Sequence, residues 1–138
     1  MMISTRGRYA LRVMIDLAEK GSAGYIPMKE VAERQGISLK YLERILPVLA
    51  KNNLIEGIQG KGGGYRLTRP PEAYPVGEIL RLTEGDLAPV ACLENGSTPC
   101  GRSIECRTIE MWSRLNQLIN DFFDGITVAD LMKTDSPV

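Results

Sequence analysis

The sequence predicts a mainly α fold (α+β): a winged helix-turn-helix with a two-stranded wing and a long C-terminal dimerisation helix. Three observations predict it. Three successive segments repeat apolar residues at helical spacing, and a short glycine turn separates the second from the third. Two β-prone runs then flank the glycine-rich stretch QGKGGG. Downstream, an amphipathic run from Arg107 to Asp124 is long enough to span about 27 Å as a helix.

Each element has a local cause. Ser4 or Thr5 can cap a first helix, in which Tyr9, Ala10, Val13, Met14 and Leu17 share a face. It should stop near Gly21–Gly24. Pro27 opens a second helix with Met28, Val31 and Ala32 inward and Lys29, Glu30, Glu33 and Arg34 outward. Gly36 ends it, and Ser38 caps the third. Leu42, Ile45, Leu46 and Leu49 form the apolar face of that third helix; Lys40, Tyr41, Glu43, Arg44 and Lys51 form the other. Pro47 removes a backbone donor and predicts a bend. Leu54–Ile58 and Tyr65–Thr68 read as strands, with Lys61 at the tip between them. Pro70–Pro71 closes the unit.

Residues 75–83 form another short helix, with Val76, Ile79, Leu80 and Leu82 apolar. The helix over 107–124 carries Met111, Trp112, Leu115, Leu118, Ile119, Phe122 and Phe123. So wide a stripe on so small a chain predicts self-association; the alternative is that the helix packs across the winged helix of its own chain. Thr127–Met132 is a last short helix. Residues 1–70 are thus expected to be the winged helix-turn-helix DNA-binding region, and 71–138 the sensor-loop and dimerisation region.

The net charge of zero conceals a division. Residues 1–69 hold twelve Lys/Arg against six Asp/Glu, a net +6, and residues 70–138 hold five against eleven, a net −6. The basic half suits phosphates. Ser38 and Thr5 offer hydroxyls. Lys40, Tyr41, Glu43 and Arg44 lie where base edges would be; Arg can fork onto guanine and Glu can accept from cytosine. Lys61 would enter a minor groove or touch the backbone, and Arg6 and Arg8 would add backbone contacts. The bland alternative is a solvated charged face.

Other classes fit poorly. No apolar run is long enough to cross a bilayer and the start lacks a signal-peptide pattern, so the expected location is cytoplasmic, with no membrane partner. GKGGGYRLT leads into a strand, and no Ser or Thr follows Lys61, unlike a nucleotide-binding glycine loop. Without histidine there is no Ser-His or Cys-His nucleophile, so an enzyme is not expected.

All three cysteines, Cys92, Cys100 and Cys106, fall in CLENGSTPCGRSIEC. Three thiolates on one loop can converge on an iron–sulfur cluster or on zinc. Both usually take four protein ligands. Glu94, Glu105, Glu110, a second subunit or a small exogenous ligand would complete the set. A redox pair with a spare thiol, or three inert cysteines, are the rival readings.

The ordered set STRGRYALRVMIDLA, ERQGISLKYLERIL, GKGGGYRL, a three-cysteine loop and a Trp-bearing helix resembles the IscR/NsrR/CymR-type family of bacterial regulators, over about residues 2–133. The resemblance implies a homodimeric winged-helix transcription factor, often a repressor, bound to a double-stranded operator. It implies that Cys92, Cys100 and Cys106 hold an iron–sulfur cluster, [2Fe–2S] or another type, that senses cluster status, nitric oxide or redox state. It puts Ser38, Lys40, Tyr41, Glu43 and Arg44 in the recognition helix and Lys61 in the wing. Ile109 stands where one branch has a histidine ligand, and Arg8 where another has an acidic one. A cysteine-free branch responds to a partner enzyme. The alternative expectation is therefore the same fold without a cluster, governed by a partner protein, thiol redox chemistry or zinc.

Overall fold

The computed structural model describes residues 3–21, 24–94 and 106–132. The first three helices are α1 (Thr5–Glu19), α2 (Met28–Gln35) and α3 (Leu39–Lys51). The hairpin strands β1 (Ile55–Ile58) and β2 (Gly64–Leu67) follow, then α4 (Val76–Glu84), α5 (Ile109–Asp124) and α6 (Val128–Leu131).

The helix boundaries follow from capping chemistry. Ser4 Oγ accepts from Gly7 N at 3.1 Å, so Ser4 rather than Thr5 caps α1. Ser38 Oγ accepts from Tyr41 N at 3.1 Å and starts α3. Gly36, at φ +63°, ends α2 in the left-handed conformation that glycine adopts without penalty. Thr127 and Asp130 form a reciprocal capping box at α6. α3 continues through Pro47 to Lys51, so the proline does not end it. Pro47 lies on the exposed side of α3, where the carbonyl it leaves unpaired is on the solvent side. α5 begins at Ile109, two residues later than its apolar pattern suggests.

The hairpin pairs Ile55 with Leu67 and Ile58 with Gly64. Ile26 adds a third, single-residue rung: its N–H and carbonyl bond Tyr65 O and N, each at 2.9 Å. Gly64 makes this approach possible, since a Cβ there would lie 2.1 Å from Ile26 O.

The main core joins Ala10, Val13, Met14 and Leu17 of α1 to Leu42, Ile45, Leu46 and Leu49 of α3. Tyr74, Ile79 and Val128 belong to the same cluster, so the apolar core runs on past Pro70. The buried Tyr74 hydroxyl donates to Leu54 O at 2.7 Å and accepts from Thr68 N and Arg69 N, each at 3.0 Å. That hydroxyl fixes the end of the wing to the helices.

Arg34, expected to point outward, instead folds onto α1. Its Nε and Nη2 donate to Asp16 at 3.0 and 2.7 Å, and Gln35 Nε2 adds a third bond at 2.9 Å. Asp16 is buried. Its position on the apolar side of α1 demands partners that α2 supplies. Arg12 donates to the Gln35 carbonyl and side chain, tightening the same joint.

Candidate nucleic-acid interface and cysteine segment

The exposed side of α3 presents Ser38, Lys40, Glu43 and Arg44. Among the described residues, Lys40, Glu43 and Arg44 make no side-chain hydrogen bond or ion pair. Their charges are available to a ligand. Tyr41 departs from the expected solvent face: it is half-buried, with its ring edge-on to Tyr9 at 5.4 Å. Arg12 stands over the same Tyr9 ring at 5.2 Å. Tyr9 thus belongs to the joint behind the interface, a role its apolar spacing did not reveal.

The start of α1 lies beside α3. Ser4, Thr5, Arg6, Tyr41 and Arg44 line a shallow hollow of about 350 Å³. Thr5 and Arg8 are exposed and joined, Arg8 Nη2 donating to Thr5 Oγ1 at 3.0 Å. Arg6 is partly committed elsewhere, donating to Thr83 O at 2.5 Å. Glu84 Oε1 accepts from Ser4 N at 3.1 Å and Ser4 Oγ at 2.6 Å. The end of α4 therefore holds the start of α1 in place.

The wing carries Lys61, exposed, between Gly60 at φ +93° and Gly62 at φ +78°. Arg66 reaches across the hairpin to Glu56 at 2.6 Å and lies over the Tyr25 ring at 4.4 Å, stiffening the wing's base. The hollow and the exposed side of α3 therefore gather Thr5, Arg6, Ser38, Lys40, Tyr41, Glu43 and Arg44, with Arg8 bonded to Thr5. Lys61 stands apart on the wing. Sequence reasoning missed Leu39, 45% exposed among these polar groups. Its spacing, three before Leu42 and seven before Leu46, reads as core, but it projects beyond the end of the packed stripe.

Cys92 lies in a single turn, Ala91–Leu93, and is half-buried. Cys106 lies two residues before Thr108, the residue that precedes α5. Cys100 and Glu105 fall outside the described residues. Among the described residues no three His, Cys, Asp or Glu side chains gather as a metal site. The Cys106 sulfur is 3.3 Å from the Thr108 hydroxyl. That contact, aided by the Thr108 and Ile109 amides, holds the thiol below its ordinary pKa. Glu94 is exposed, Glu110 pairs with Arg114 at 2.9 Å, and Ile109 is half-buried.

Beyond the cysteines, α5 buries none of its residues. Met111, Leu115, Leu118 and Phe122 form one exposed apolar stripe, between 37% and 67% accessible. Apolar hollows of about 650 and 420 Å³ lie along it. Ile119 and Phe123, off that stripe, pack with Val76, Leu80 and Leu87. Arg81 forks onto Asp124 at 2.8 and 2.9 Å and onto Asn120 at 2.7 Å, tying α5 to α4. No helix among the described residues is long and apolar enough to cross a membrane.

Known proteins share this architecture. The chain is 36% identical over 132 residues to the HTH-type transcriptional regulator IscR of Aliivibrio salmonicida, a match covering 96% of this chain and 77% of that one. Its structure resembles that of CymR, the global cysteine regulator of B. subtilis, at TM-score 0.77 and 34% identity, covering 95% of each chain. T. potens IscR matches at TM-score 0.74 and 34% identity, covering 95% of this chain and 85% of that one. These relatives regulate transcription and are not enzymes. The Rrf2 family, described as iron-dependent transcriptional regulators, matches residues 3–134, and the chain belongs to it.

Proposed function

We propose that this regulator is a homodimer that binds a roughly palindromic operator, most simply as a repressor, and that an iron–sulfur cluster on Cys92, Cys100 and Cys106 modulates binding. Residues 1–70 contact DNA and residues 71–138 sense and dimerise. The observation that carries the DNA reading is the bare, charged side of α3 beside the α1 hollow and the glycine wing. Arg6, Arg8, Thr5 and Ser38 meet phosphates, Lys40, Glu43 and Arg44 face the major groove, Tyr41 contributes from the hollow where it packs on Tyr9, and Lys61 reaches the adjacent backbone or minor groove. The α5 stripe supports a second copy as its cover, which would set the two α3 helices about 34 Å apart.

The donor chemistry supports the cofactor. Thiolates hold iron–sulfur clusters, and a thiol whose pKa is lowered by its hydrogen bonds, as at Cys106, gives up its proton to a metal more readily. The cluster would supply a centre that oxidants or nitric oxide can alter. Three cysteines leave one position to another group, which suits a signal-responsive site. Because Cys106 directly precedes α5, occupancy would bias how two α5 helices meet. Coupling of this kind is typically worth about 1–3 kcal/mol.

Protein purified without oxygen should be coloured, with iron and sulfide in matched amounts, and should bind promoter DNA with steep salt dependence. Cys92→Ala, Cys100→Ala and Cys106→Ala combined should remove the colour and the difference between loaded and cluster-free protein. Colourless protein after reconstitution would refute the cluster and leave zinc or thiol chemistry. Unchanged operator affinity in the triple variant would refute the modulation.

A further inference from the structure

We propose that Leu39 is a specificity-determining side chain that reads the C5-methyl group of a thymine in the major groove; this rests on the DNA-binding reading above. The side chains that α3 packs inward are Leu42, Ile45, Leu46 and Leu49. Leu39 belongs to neither apolar cluster of the protein, not even as a peripheral member. It is 45% exposed at the first position of the recognition helix, with Ser38, Lys40 and Glu43 exposed around it.

The exposed large apolar residues fall into two groups. Met111, Leu115, Leu118, Phe122 and Leu131 belong to α5 and α6. In the DNA-binding half only Leu39 and Ile58 of the wing are so exposed among the described residues. An exposed leucine gains free energy only when an apolar group covers it, which its charged neighbours do not supply. Hydrogen-bonding groups dominate the base edges of the major groove, and the thymine methyl is the apolar exception.

The helix also sets which thymine. Leu39 and Glu43 are four residues apart and so share a face, about 6 Å from each other along the axis. Base pairs are spaced by about 3.4 Å. The thymine therefore lies within about two base pairs of the position that Glu43 governs, so Leu39 and Glu43 would read neighbouring letters by different chemistry.

The test uses the full chain. A duplex is selected from a randomised pool, and each thymine in turn is replaced by uracil, which removes only the methyl. Wild-type protein should lose about fourfold in affinity at one thymine per half-site, and about sixteenfold when both are replaced. Leu39→Ala should abolish the difference at that position alone, and Leu39→Met should retain most of it. Glu43→Gln should locate the neighbouring letter. An unchanged melting temperature for Leu39→Ala is expected, since the residue packs on neither apolar cluster. If wild type binds with a salt-dependent affinity but no thymine is sensitive, or Leu39→Ala keeps the sensitivity, the proposal is overturned and the DNA reading stands. If no duplex is selected, both fail.

Discussion

Removing either partner of the Asp16–Arg34 pair should have unequal effects. Asp16 has a side chain only 3% exposed, whereas that of Arg34 is 33% exposed. In Asp16→Ala, three hydrogen bonds are lost, but the freed guanidinium can turn to water. The expected cost is about 2 kcal/mol. In Arg34→Ala, the carboxylate stays buried with only Gln35 to meet it, and the cost at neutral pH should be nearer 3–5 kcal/mol. At about 2–5 °C per kcal/mol for a chain of this size, the two melting temperatures should fall by roughly 4–10 °C and 6–25 °C. The pH dependence separates them further. Burial is the largest influence on Asp16 and raises its pKa, but the bonds from Arg34 and Gln35 together outweigh it, so the folded value lies below the ordinary one. The wild-type contribution is then complete above about pH 4 and is lost as pH falls through the lowered folded value. Without Arg34, burial prevails and the folded pKa rises. The sign reverses: Arg34→Ala should regain stability on acidification from neutral pH towards pH 5, while Asp16→Ala should not. Urea denaturation followed by circular dichroism from pH 4 to 8 measures both. Equal costs, or parallel pH profiles, would refute the reasoning.

Gly64→Ala puts a Cβ 2.1 Å from Ile26 O at φ +151°; the Ile26–Tyr65 rung should break, with a stability loss above about 2 kcal/mol in thermal melts and weaker operator binding. Leu118→Glu changes a side chain 67% exposed in the protomer; sedimentation should show monomers, with helical content retained. Thr108→Val removes the hydroxyl beside Cys106; in cluster-free protein that thiol should become less acidic and its alkylation below pH 8 slower. Arg81→Met breaks a half-exposed fork worth under about 1 kcal/mol of stability, yet in operator titrations the affinity difference between cluster-loaded and cluster-free protein should shrink.

Much of the fold is legible because its signals are local. Apolar spacing gives α1, α3 and α5; Ser4, Ser38, Gly36 and Thr127 mark helix ends; QGKGGG gives the hairpin. The unread parts depend on distant residues. Nothing near Asp16 in sequence announces Arg34, eighteen positions away. Tyr41 looks solvent-facing by periodicity until Tyr9 of another helix covers it. Leu39 goes unnoticed in the sequence, since spacing cannot tell where a packed stripe ends. α3 continues past Pro47 because a helix held by four buried apolar residues tolerates the loss of one solvent-side bond. At the cysteines, the sequence names three thiols, and Cys100 lies outside the described residues. Cys106's acidity depends on its contact with Thr108, which spacing does not convey.

α4 determines what motion at α5 can reach. Its Arg81 grips Asp124 and Asn120 of α5, and Gly77 makes room for the grip, since a Cβ there would lie 2.2 Å from Asp124 Oδ1. Its Glu78 accepts from Nη1 and Nη2 of Arg69, at 2.8 and 3.0 Å, where the chain leaves the wing. Its last residue, Glu84, holds Ser4 at the start of α1. One nine-residue helix thus packs on α5 and also holds the end of the wing and the start of α1. Close-packed interiors transmit displacement rather than absorb it. A shift in α5 that carries α4 along must therefore move the wing's base and the α1 hollow together; in the proposed dimer this would change the spacing between the two α3 helices more than the shape of either. A dimer of the proposed kind would in this way adjust its affinity for a two-fold operator while leaving the bases read by each α3 unchanged. Measured on isolated half-sites and on intact operators, the effect of cluster occupancy should accordingly be confined to the intact sites.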